Sequence, residues 1–528
     1  MKSKKSELAQ LKKIQKLLKP FPLPLLKVYP GSFCLRGGLT YGLIRTTGGK
    51  RLLVLGDKAK VRRDPFKGKN SHHDGTTLKV CDLTPDNTTC LMDLFPYTKP
   101  TSLRNYPVTV GTGDRLGCAT PGHLRAIRKF PVRPVLAQQS VRENRQTGRD
   151  YSGVVRDAAW AVFQENYDRG YGADGDHLKA LDEIREALDA GASMITLDLS
   201  EKLDFSAFTG SGEEIDRRFA MEVGEEDAKV FFHLFLNKEF RFRGPLGDFS
   251  IRFDEEGVKR NTLLFHKAID FTEEAYQFIH SRSEARGAVD FEVSIDETPF
   301  STSPENHLFF VILSNQRGIR IDSLAPRFVG EFQKGIDYIG DLKEFRKQFY
   351  QHAVIARDYG PYKISIHSGS DKFSVFPSIG EMAGEGLHLK TAGTSWLEAM
   401  RLIARKSPPL YREMHQYALS IFDEAAKLYH VTTDLGKIPG LDGQKDRELP
   451  KYLDRVDSRQ LIHLTYGFLL NAKRKNGKYL FRERFFQVLT DFEEEYWALL
   501  EKHIGKHLTS LGLKKIPITK SQVPNIKP

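Results

Sequence analysis

The chain has 528 residues, more than one ordinary domain needs, and its 40% hydrophobic and 11% aromatic residues exclude global disorder. Its formal net charge of +12 arises from 80 basic and 68 acidic residues, and much of the excess lies in the terminal segments 1–19 and 514–520. We interpret this charge as a solvated terminal excess instead of a nucleic-acid groove, and a basic pocket for a small anion is equally compatible with it.

Cysteine usage and apolar runs indicate the compartment. The four cysteines, Cys34, Cys81, Cys90 and Cys118, have neither CxxC spacing nor the density of a disulfide scaffold, so we predict reduced thiols. The basic N-terminus shows the spacing of an amphipathic helix and lacks the continuous apolar core of a signal peptide. No run approaches the about 18 apolar residues of a membrane span. These features predict a cytoplasmic protein that contacts no membrane.

The predicted elements change character near residue 107. Before it, β-rich stretches at 39–44 and 51–55 are separated by glycine and proline turns, which predict a small α+β domain over 1–106. After it, strand, polar turn and helix alternate repeatedly, a rhythm typical of parallel β/α units. The candidate strands are 107–111, 133–137, a run ending at 172–177, 193–197, 288–295, 320–328, 362–366 and 386–390.

Eight such strands predict an α/β fold with a (β/α)8 TIM-type barrel over 107–400. The interval 203–289 is longer than a single crossover, and its helical patterns predict a helical insertion. From residue 401 to 528 the pattern is almost wholly helical, which predicts a helical C-terminal extension.

The segment Tyr362–Phe373 carries the strongest functional signal. It alternates like a strand up to Ile366 and then breaks into polar residues, namely His367, Ser368, Ser370, Asp371 and Lys372. The carboxyl end of a strand is where α/β barrels keep their chemistry, so we interpret this segment as part of a site.

Further polar residues follow other candidate strands, and barrel geometry would bring them to one mouth. They are Asp176, His177, Glu292, Glu331, Gln333, His388 and Lys390. Histidine combined with Glu, Asp or Gln is the usual ligand set of a catalytic divalent metal. No local spacing such as HExxH supports a metal here, so this interpretation depends on the predicted fold.

Several of these residues also have structural interpretations. Asp176 could cap a helix beginning at His177, and His388 between two leucines could be a core histidine. Glu292 interrupts an apolar strand, where a carboxylate is costly unless it is paired or ligating, which favours a function. Histidines 72, 73, 415, 503 and 507 lack converging partners in the sequence pattern and are interpreted as structural or surface residues.

Anion recognition has its own candidates. The stretch Gly111–Gly117 lacks both the GxxxxGK[ST] and the GxGxxG patterns, which argues against nucleotide binding. Asp114 and Arg115 remain candidate substrate contacts, because arginine suits a planar carboxylate. Further candidates for holding an anion are Arg142, Arg327 and Lys390.

Several long motifs lie between about 107 and 470, namely VGTGDRLG (110–117), AQQSVREN (137–144), YGADGDH (171–177), FEVSIDET (291–298), RFVGEFQKGIDY (327–338), KISIHSGSDKF (363–373), KTAGTS (390–395) and RQLIHLTYG (459–467). Together they resemble the motifs of the bacterial tagaturonate epimerase family. The resemblance implies a metal-dependent interconversion of D-tagaturonate and D-fructuronate. It makes Asp176 the proton acceptor, Glu292 the proton donor, and His177 and His367 metal ligands. A third ligand falls within 330–337, where Glu331 and Gln333 are the chemically sensible choices.

The implied substrates differ at the carbon β to the ketone, so simple enolisation cannot interconvert them. Retro-aldol cleavage with re-addition or transient oxidation by a nicotinamide remains, and the missing dinucleotide fingerprint disfavours oxidation. A divalent cation, whether Zn, Mn, Ni or Co, would stabilise the enediolate of the first route. Asp176 and Glu292 on opposite faces would then transfer the hydroxyl proton.

Two other hypotheses are compatible with the sequence. A metal aldolase or a ketose 3-epimerase needs the same enediolate, and a sugar-acid or nucleic-acid binding protein would use the positive charge without catalysis. The favoured partner is a small ketouronate, with no nucleic acid and no membrane, and a homo-oligomer is compatible with the chain.

Overall fold

The computed structural model describes residues 11–282 and 288–517. These residues form two compact units. One holds the described parts of 1–100 and 516–528 together with 155–170, and the other holds 101–154 and 171–515. Within the described ranges, no helix is both long enough and apolar enough to cross a membrane. All four cysteines are free thiols, as predicted.

The first unit contains a five-stranded antiparallel sheet in the order β1-β2-β3-β5-β4. Its strands are β1 (Leu25–Arg36), β2 (Leu39–Thr46), β3 (Gly49–Asp57), β4 (Lys69–His73) and β5 (Thr76–Cys81), and its helices are 11–18, Lys58–Arg63 and Pro85–Leu94. Ile44, Leu53 and Leu78 are almost fully buried against the 11–18 helix. The predicted α+β character of this part of the chain is confirmed.

The second unit contains a closed barrel of eight parallel strands, which confirms the predicted TIM-type fold. The first four barrel strands are β6 (Val108–Gly111), β7 (Arg133–Ser140), β8 (Gly172–Leu178) and β9 (Met194–Asp198). A hairpin outside the barrel follows, made of β10 (Glu239–Phe242) and β11 (Phe249–Arg252). The last four barrel strands are β12 (Asp290–Ile295), β13 (Ser323–Pro326), β14 (Lys363–Ile366) and β15 (Leu387–Lys390). The barrel closes where Leu387 of β15 pairs with Val108 of β6.

Helices connect the barrel strands and continue beyond them. Those between strands are Thr120–Ile127, Val141–Thr147, Tyr151–Glu165, Leu181–Asp189, Pro304–Gln316, Leu342–Tyr359 and Phe376–Glu381. Those after β15 are Thr394–Lys406, Pro408–Ala426, Val456–Leu464, Tyr466–Asn471, Arg482–Asp491 and Glu493–Ser510. The helices after residue 401 belong to the same compact unit as the barrel.

The long interval before β12 is not purely helical. Its helices are Ser206–Thr209, Gly212–Glu222, Glu225–Phe235 and Glu255–Ser281, with the hairpin of β10 and β11 between the last two. The hairpin forms because Phe240 and Phe242 alternate with arginines and a glycine-bounded turn follows, in which Gly247 has φ +124°. Phe242 stacks on Phe249 with ring centroids 4.7 Å apart.

The inside of the barrel is polar. Along β12 the apolar Phe291 and Val293 alternate with Glu292 and Ser294, and along β15 the leucines alternate with His388 and Lys390. Successive side chains of a strand point to opposite faces, so one face packs on the helices and the other faces the barrel axis. A buried polar interior is stable only if its groups are paired, and the strand ends therefore carry a dense hydrogen-bond network.

The amino-terminal end of the barrel is closed by a separate ion-pair network. Asp290 Oδ2 accepts a hydrogen bond of 2.7 Å from the Leu103 N–H, and Arg104 Nε lies 3.2 Å from Asp290 Oδ1. Arg104 also lies 3.4 Å from Asp322, and Lys363 donates to the Leu103 carbonyl at 2.8 Å. This network ties the segment before β6 to β12, β13 and β14.

We predict that Asp290→Ala lowers the free energy of unfolding by about 3 kcal/mol, because it removes the buried acceptor of the Leu103 N–H and one of the two carboxylates that pair with Arg104. Chemical denaturation measures this, with the exposed Asp248→Ala as control. Equal stability of the two variants would contradict the role of the network.

Candidate active site

A cavity of about 460 Å³ opens at the carboxyl ends of the barrel strands. Its wall includes Asp176 and His177 from the end of β8, His367 from the end of β14 and Lys390 from β15. Loop residues complete the wall, among them Arg115, Arg142, Asp296, Arg327, Glu331, Gln333, Lys334 and His463. The predicted strand-end residues thus converge on one mouth, as barrel geometry requires.

Three potential ligand atoms converge at the base of this cavity. His367 Nδ1 lies 3.2 Å from His177 Nε2 and 3.0 Å from Asp296 Oδ1, and the last two atoms are 3.6 Å apart. One ligand atom from each residue lies within 4.8 Å of the others. Two imidazole nitrogens and a carboxylate oxygen are a common donor set for a catalytic divalent metal.

Local backbone conformation places two of these side chains. His177 has φ +55°, and the register of β8 against β9 shifts between Gly175 and Leu178, so the imidazole leaves the alternation of the strand. Ser368, directly after His367, has φ +52° and ends β14 abruptly. Positive φ is uncommon for residues other than glycine and occurs often at functional sites.

A carboxylate holds the opposite nitrogen of each histidine. Asp176 Oδ1 lies 2.9 Å from His177 Nδ1, and Glu292 Oε1 lies 2.8 Å from His367 Nε2. Such contacts fix the tautomer and ring orientation of histidines that bind metals. Asp176 and Glu292, predicted as the acid/base pair, are therefore both in contact with the predicted ligands.

The Lys390 ammonium connects these carboxylates inside the barrel. Its Nζ lies 2.6 Å from Asp176, 2.9 Å from Glu292 and 3.0 Å from Asp174, and it donates to Thr196 Oγ1 at 2.9 Å. All four partners are buried. One cation is thus shared by three carboxylates, and its own charge is already compensated.

Burial and charge act in opposite directions on the pKa values of this cluster. Burial alone would raise the pKa of Asp176 and of Glu292, but the Lys390 ammonium and the adjacent histidines hold both pKa values well below the usual range. Burial raises the pKa of Asp174 to about 6 despite the same ammonium. Burial would lower the pKa of both histidines, but the carboxylate of Asp176 raises the pKa of His177 and that of Asp296 raises the pKa of His367.

The charge balance of the cluster is negative. Asp174, Asp176, Glu292 and Asp296 supply four carboxylates, and Lys390 is the one lysine in contact with them among the described residues. The raised histidine pKa values report the same deficit of positive charge. A divalent cation at the three converging ligand atoms would offset this deficit.

The structure separates the predicted site residues into two groups. Asp176, His177, His367, Lys390, Arg115, Arg327, Glu331 and Gln333 line the cavity, whereas Glu292 and Asp114 do not. Glu292 lies beneath His367 with no exposed surface. Asp114 braces its own loop, since its oxygens accept hydrogen bonds from the backbone of Leu116, Gly117, Ala119 and Thr120.

The two predicted third ligands face other partners. Glu331 lies 3.8 Å from Arg327 and 3.6 Å from His430. Gln333 Oε1 accepts hydrogen bonds from the N–H and the hydroxyl of Thr432, each at 3.1 Å. Neither residue belongs to the converging group, whose third member is Asp296.

The structure also bears on the structural interpretations of Asp176 and His388. Asp176 is not a helix N-cap, because it lies in β8 and the next helix begins at Leu181 after Ala180. His388 is a core histidine, since its Nδ1 lies 2.8 Å from Thr109 Oγ1 and burial lowers its pKa to about 3.

Sequence reasoning missed several residues. Asp296 lies two positions beyond Ser294 and four beyond Glu292, so the period of two along β12 could have identified it. Asp174 lies two positions before Asp176 on β8, so the same period could have identified it. Lys334 and His463 lie within recognised motifs but carry no positional signal of their own.

His503 and His507, interpreted as structural or surface residues, have converging partners that the sequence pattern did not reveal. His503 Nε2 lies 2.7 Å from Asp371 Oδ1, and the Asp371 N–H donates to His507 Nε2 at 2.9 Å. Arg459 donates to the other Asp371 oxygen. Because His507 Nε2 already accepts a hydrogen bond, this group is a structural brace between the loop after β14 and the C-terminal helices.

Comparison with known proteins places this chain in a family. The family model for tagaturonate epimerase (UxaE) matches residues 29–511. The tagaturonate/fructuronate epimerase of Thermotoga maritima is 38% identical over 486 residues, which cover 92% of this chain and 97% of that protein.

Solved structures agree with this match. The native crystal structure of the fructuronate-tagaturonate epimerase UxaE from Cohnella laeviribosi superposes with a TM-score of 0.87 at 44% identity, covering 96% of this chain and all of that one. Its complex with one glycerol matches equally well. The chain therefore belongs to the tagaturonate epimerase family, a family of isomerases that act on sugar acids.

Proposed function

We propose that this enzyme interconverts D-tagaturonate and D-fructuronate with the help of a divalent metal, by retro-aldol cleavage and re-addition. The observation that carries the proposal is the convergence of His177, Asp296 and His367 above a lysine-linked set of carboxylates, in a chain of this family. A metal aldolase or a ketose 3-epimerase would need a similar site, and the products distinguish the three.

His177, Asp296 and His367 would hold the metal. The site fits a cation in three respects: its ligand atoms converge, the opposite histidine nitrogens contact carboxylates, and its charge balance is negative. Mixed nitrogen and oxygen ligands suit Zn, Mn, Ni and Co alike. When bound, a divalent cation supplies Lewis acidity, which polarises the ketone and the neighbouring hydroxyl.

The chemistry follows from where the two sugar acids differ. Loss of the proton from the β-hydroxyl lets the bond between the α and β carbons break, and its electrons move into the ketone. The products of cleavage are the enediolate of dihydroxyacetone and a three-carbon aldehyde acid. If the aldehyde turns its other face before the bond re-forms, the new alkoxide takes a proton and the epimer results.

Asp176 is suited to accept the hydroxyl proton. It lines the cavity, and Lys390 and His177 hold its pKa low enough to keep it ionised in spite of burial. Lys390 lines the same cavity and contacts both Asp176 and Glu292, so a proton gained by one carboxylate changes the charge felt by the other.

Glu292 was predicted as the proton donor, but its position below the cavity suggests a different role. It accepts hydrogen bonds from Ser323 at 2.6 Å and from Thr196 at 3.1 Å and contacts His367, all below the cavity floor. We propose that Glu292 positions His367 and reaches the substrate only through it.

The experiment that tests the function is incubation of the metal-loaded enzyme with D-tagaturonate in an NMR tube. Appearance of fructuronate supports the proposal. Free dihydroxyacetone as the main product would indicate an aldolase, and solvent exchange of the α hydrogen would indicate a 3-epimerase.

The first prediction about the site concerns the metal. His177→Ala and His367→Ala should keep the fold but lose about tenfold or more of the bound divalent metal and lose turnover, because each removes a ligand nitrogen. Elemental analysis and circular dichroism measure this, with the exposed His233→Ala as control. Full activity after exhaustive chelation would exclude the metal site.

The same assay decides the third ligand. If Asp296 is the ligand, Asp296→Asn loses metal while Glu331→Gln and Gln333→Ala retain it. The reverse pattern would return the third ligand to the loop 330–337.

A second prediction concerns reaction type. Retro-aldol cleavage keeps the hydrogen on the epimerised carbon, so turnover in deuterium oxide should place little label there. NMR of the recovered fructuronate measures it. One deuterium per turnover at that carbon would mean direct deprotonation.

A third prediction separates proton transfer from positioning. Asp176→Asn should lower kcat, expressed per bound metal ion, by about 10²- to 10⁴-fold, as expected for loss of a general base, although it too removes a carboxylate that orients a ligand histidine. Glu292→Gln should lower kcat and metal content in proportion, because it disturbs His367. Unchanged metal in Glu292→Gln with a similar loss of kcat would instead make Glu292 the donor.

A further inference from the structure

We propose that Lys334, in a cavity wall that also holds the charge of Arg115, binds the carboxylate of the substrate and retains the carboxylate-bearing fragment between cleavage and re-addition. This inference rests on the proposed function and names the group that recognises the acid end of the sugar.

Lys334 is a cation without a carboxylate partner in the wall of the cavity. Its Nζ donates one hydrogen bond, of 2.8 Å, to the hydroxyl of Ser368. Among the described residues, no carboxylate oxygen lies within 4.0 Å of it. Burial lowers its pKa, an effect that the carboxylates of Glu143 and Glu297 oppose and that the charges of Arg115 and Arg142 reinforce more weakly. The Lys334 ammonium therefore has no carboxylate counter-ion within 4.0 Å among the described residues.

Arg115 adds a second positive charge to the same wall. It is only 4% exposed, and its Nη2 pairs with Glu143. The guanidinium stacks on the ring of Tyr466, 4.6 Å from the centroid, which fixes its plane. Its Nε and Nη1 are buried and closed to a ligand in the cavity, so Arg115 acts on a bound carboxylate through its charge.

The other lysine and arginines that line the cavity each have a carboxylate within 4.0 Å. Arg115 pairs with Glu143, Arg142 lies 3.8 Å from Glu297 and Arg327 lies 3.8 Å from Glu331. Lys390 is shared by the three carboxylates of the barrel interior. Among the lining residues that the structure describes, Lys334 is therefore the one lysine or arginine without a carboxylate at that distance.

The loop that carries Lys334 is held on both sides. Lys372 donates to the Gln333 carbonyl at 2.8 Å, and Arg459 Nε donates to the Gly335 carbonyl at 2.6 Å. Gln460 contacts the carbonyl of Lys334 itself at 3.3 Å. A donor on a braced loop binds its ligand with little loss of conformational entropy.

Lys334 also lies close to the reacting end of the site. Its partner Ser368 directly follows His367, one of the three converging residues. A single six-carbon acid could therefore have its ketone at the histidines and its carboxylate at Lys334. The aldehyde acid formed by cleavage keeps that carboxylate, so the anchor would hold it while its aldehyde turns. An aldolase releases this fragment, whereas an epimerase must retain it.

The experiment compares an acid with its uncharged counterpart. Calorimetry measures binding of D-tagaturonate and of D-tagatose to the metal-loaded parent and to Lys334→Met. We expect the variant to lose about 10- to 100-fold in affinity for tagaturonate, the effect of one charge-assisted hydrogen bond, and nothing for tagatose. Lys334→Arg should recover part of the loss, and the exposed Lys347→Met, which changes the net charge equally, should behave as the parent.

A second readout tests retention of the fragment. Lys334→Met should release more free dihydroxyacetone per fructuronate formed than the parent does. Unchanged affinity for tagaturonate, or an equal loss for both sugars, would overturn the proposal.

The two proposals can fail separately. If the parent prefers tagaturonate and Lys334→Met removes that preference, the anchor stands even when no fructuronate forms. If the parent forms fructuronate and Lys334→Met binds tagaturonate normally, the anchor fails and the epimerase function stands.

Discussion

The site depends on the ion pairs that the Lys390 ammonium makes with three carboxylates. This ammonium lies among three buried carboxylates, at 2.6 to 3.0 Å, inside a barrel whose other contents are also polar. Carboxylates this close would repel one another and take up protons if no cation were present. Because Lys390 keeps Asp176 and Glu292 ionised, each can orient a histidine at the cavity floor. The geometry of the candidate metal centre thus depends on a charge that is not itself a ligand.

A polar barrel interior restricts the rest of the fold. One ion-pair network lies at the amino-terminal end, around Asp290 and Arg104, and a second lies at the carboxyl end, around Lys390 and the histidines. The helices after residue 401 complete the mouth, because Arg459 holds both Asp371 and the loop of Lys334. Stability and catalysis therefore share the same hydrogen bonds, and site variants need a fold control alongside activity.

Local patterns could predict much of this arrangement. Most of the eight strands were recognisable because they are short, apolar or alternating, and followed by polar residues, whereas β8 (GADGDHL) is itself largely polar. His177 and His367 were recognisable because they lie at strand ends. Asp114 fitted the same rule, yet its carboxylate binds its own loop. Strand-end position identifies residues near the mouth but does not say which way a side chain turns.

The sequence by itself determined the fold class, the family motifs and the two histidines, because strand alternation and strand ends are properties of neighbouring residues. Only the tertiary structure decided the role of Asp296 in the converging group, the sharing of Lys390 and the unpaired state of Lys334. The contacts of His367 and Lys390 join residues that are 71 to 214 positions apart along the chain. Such contacts form where barrel closure brings separate strand ends together, and no local spacing records them.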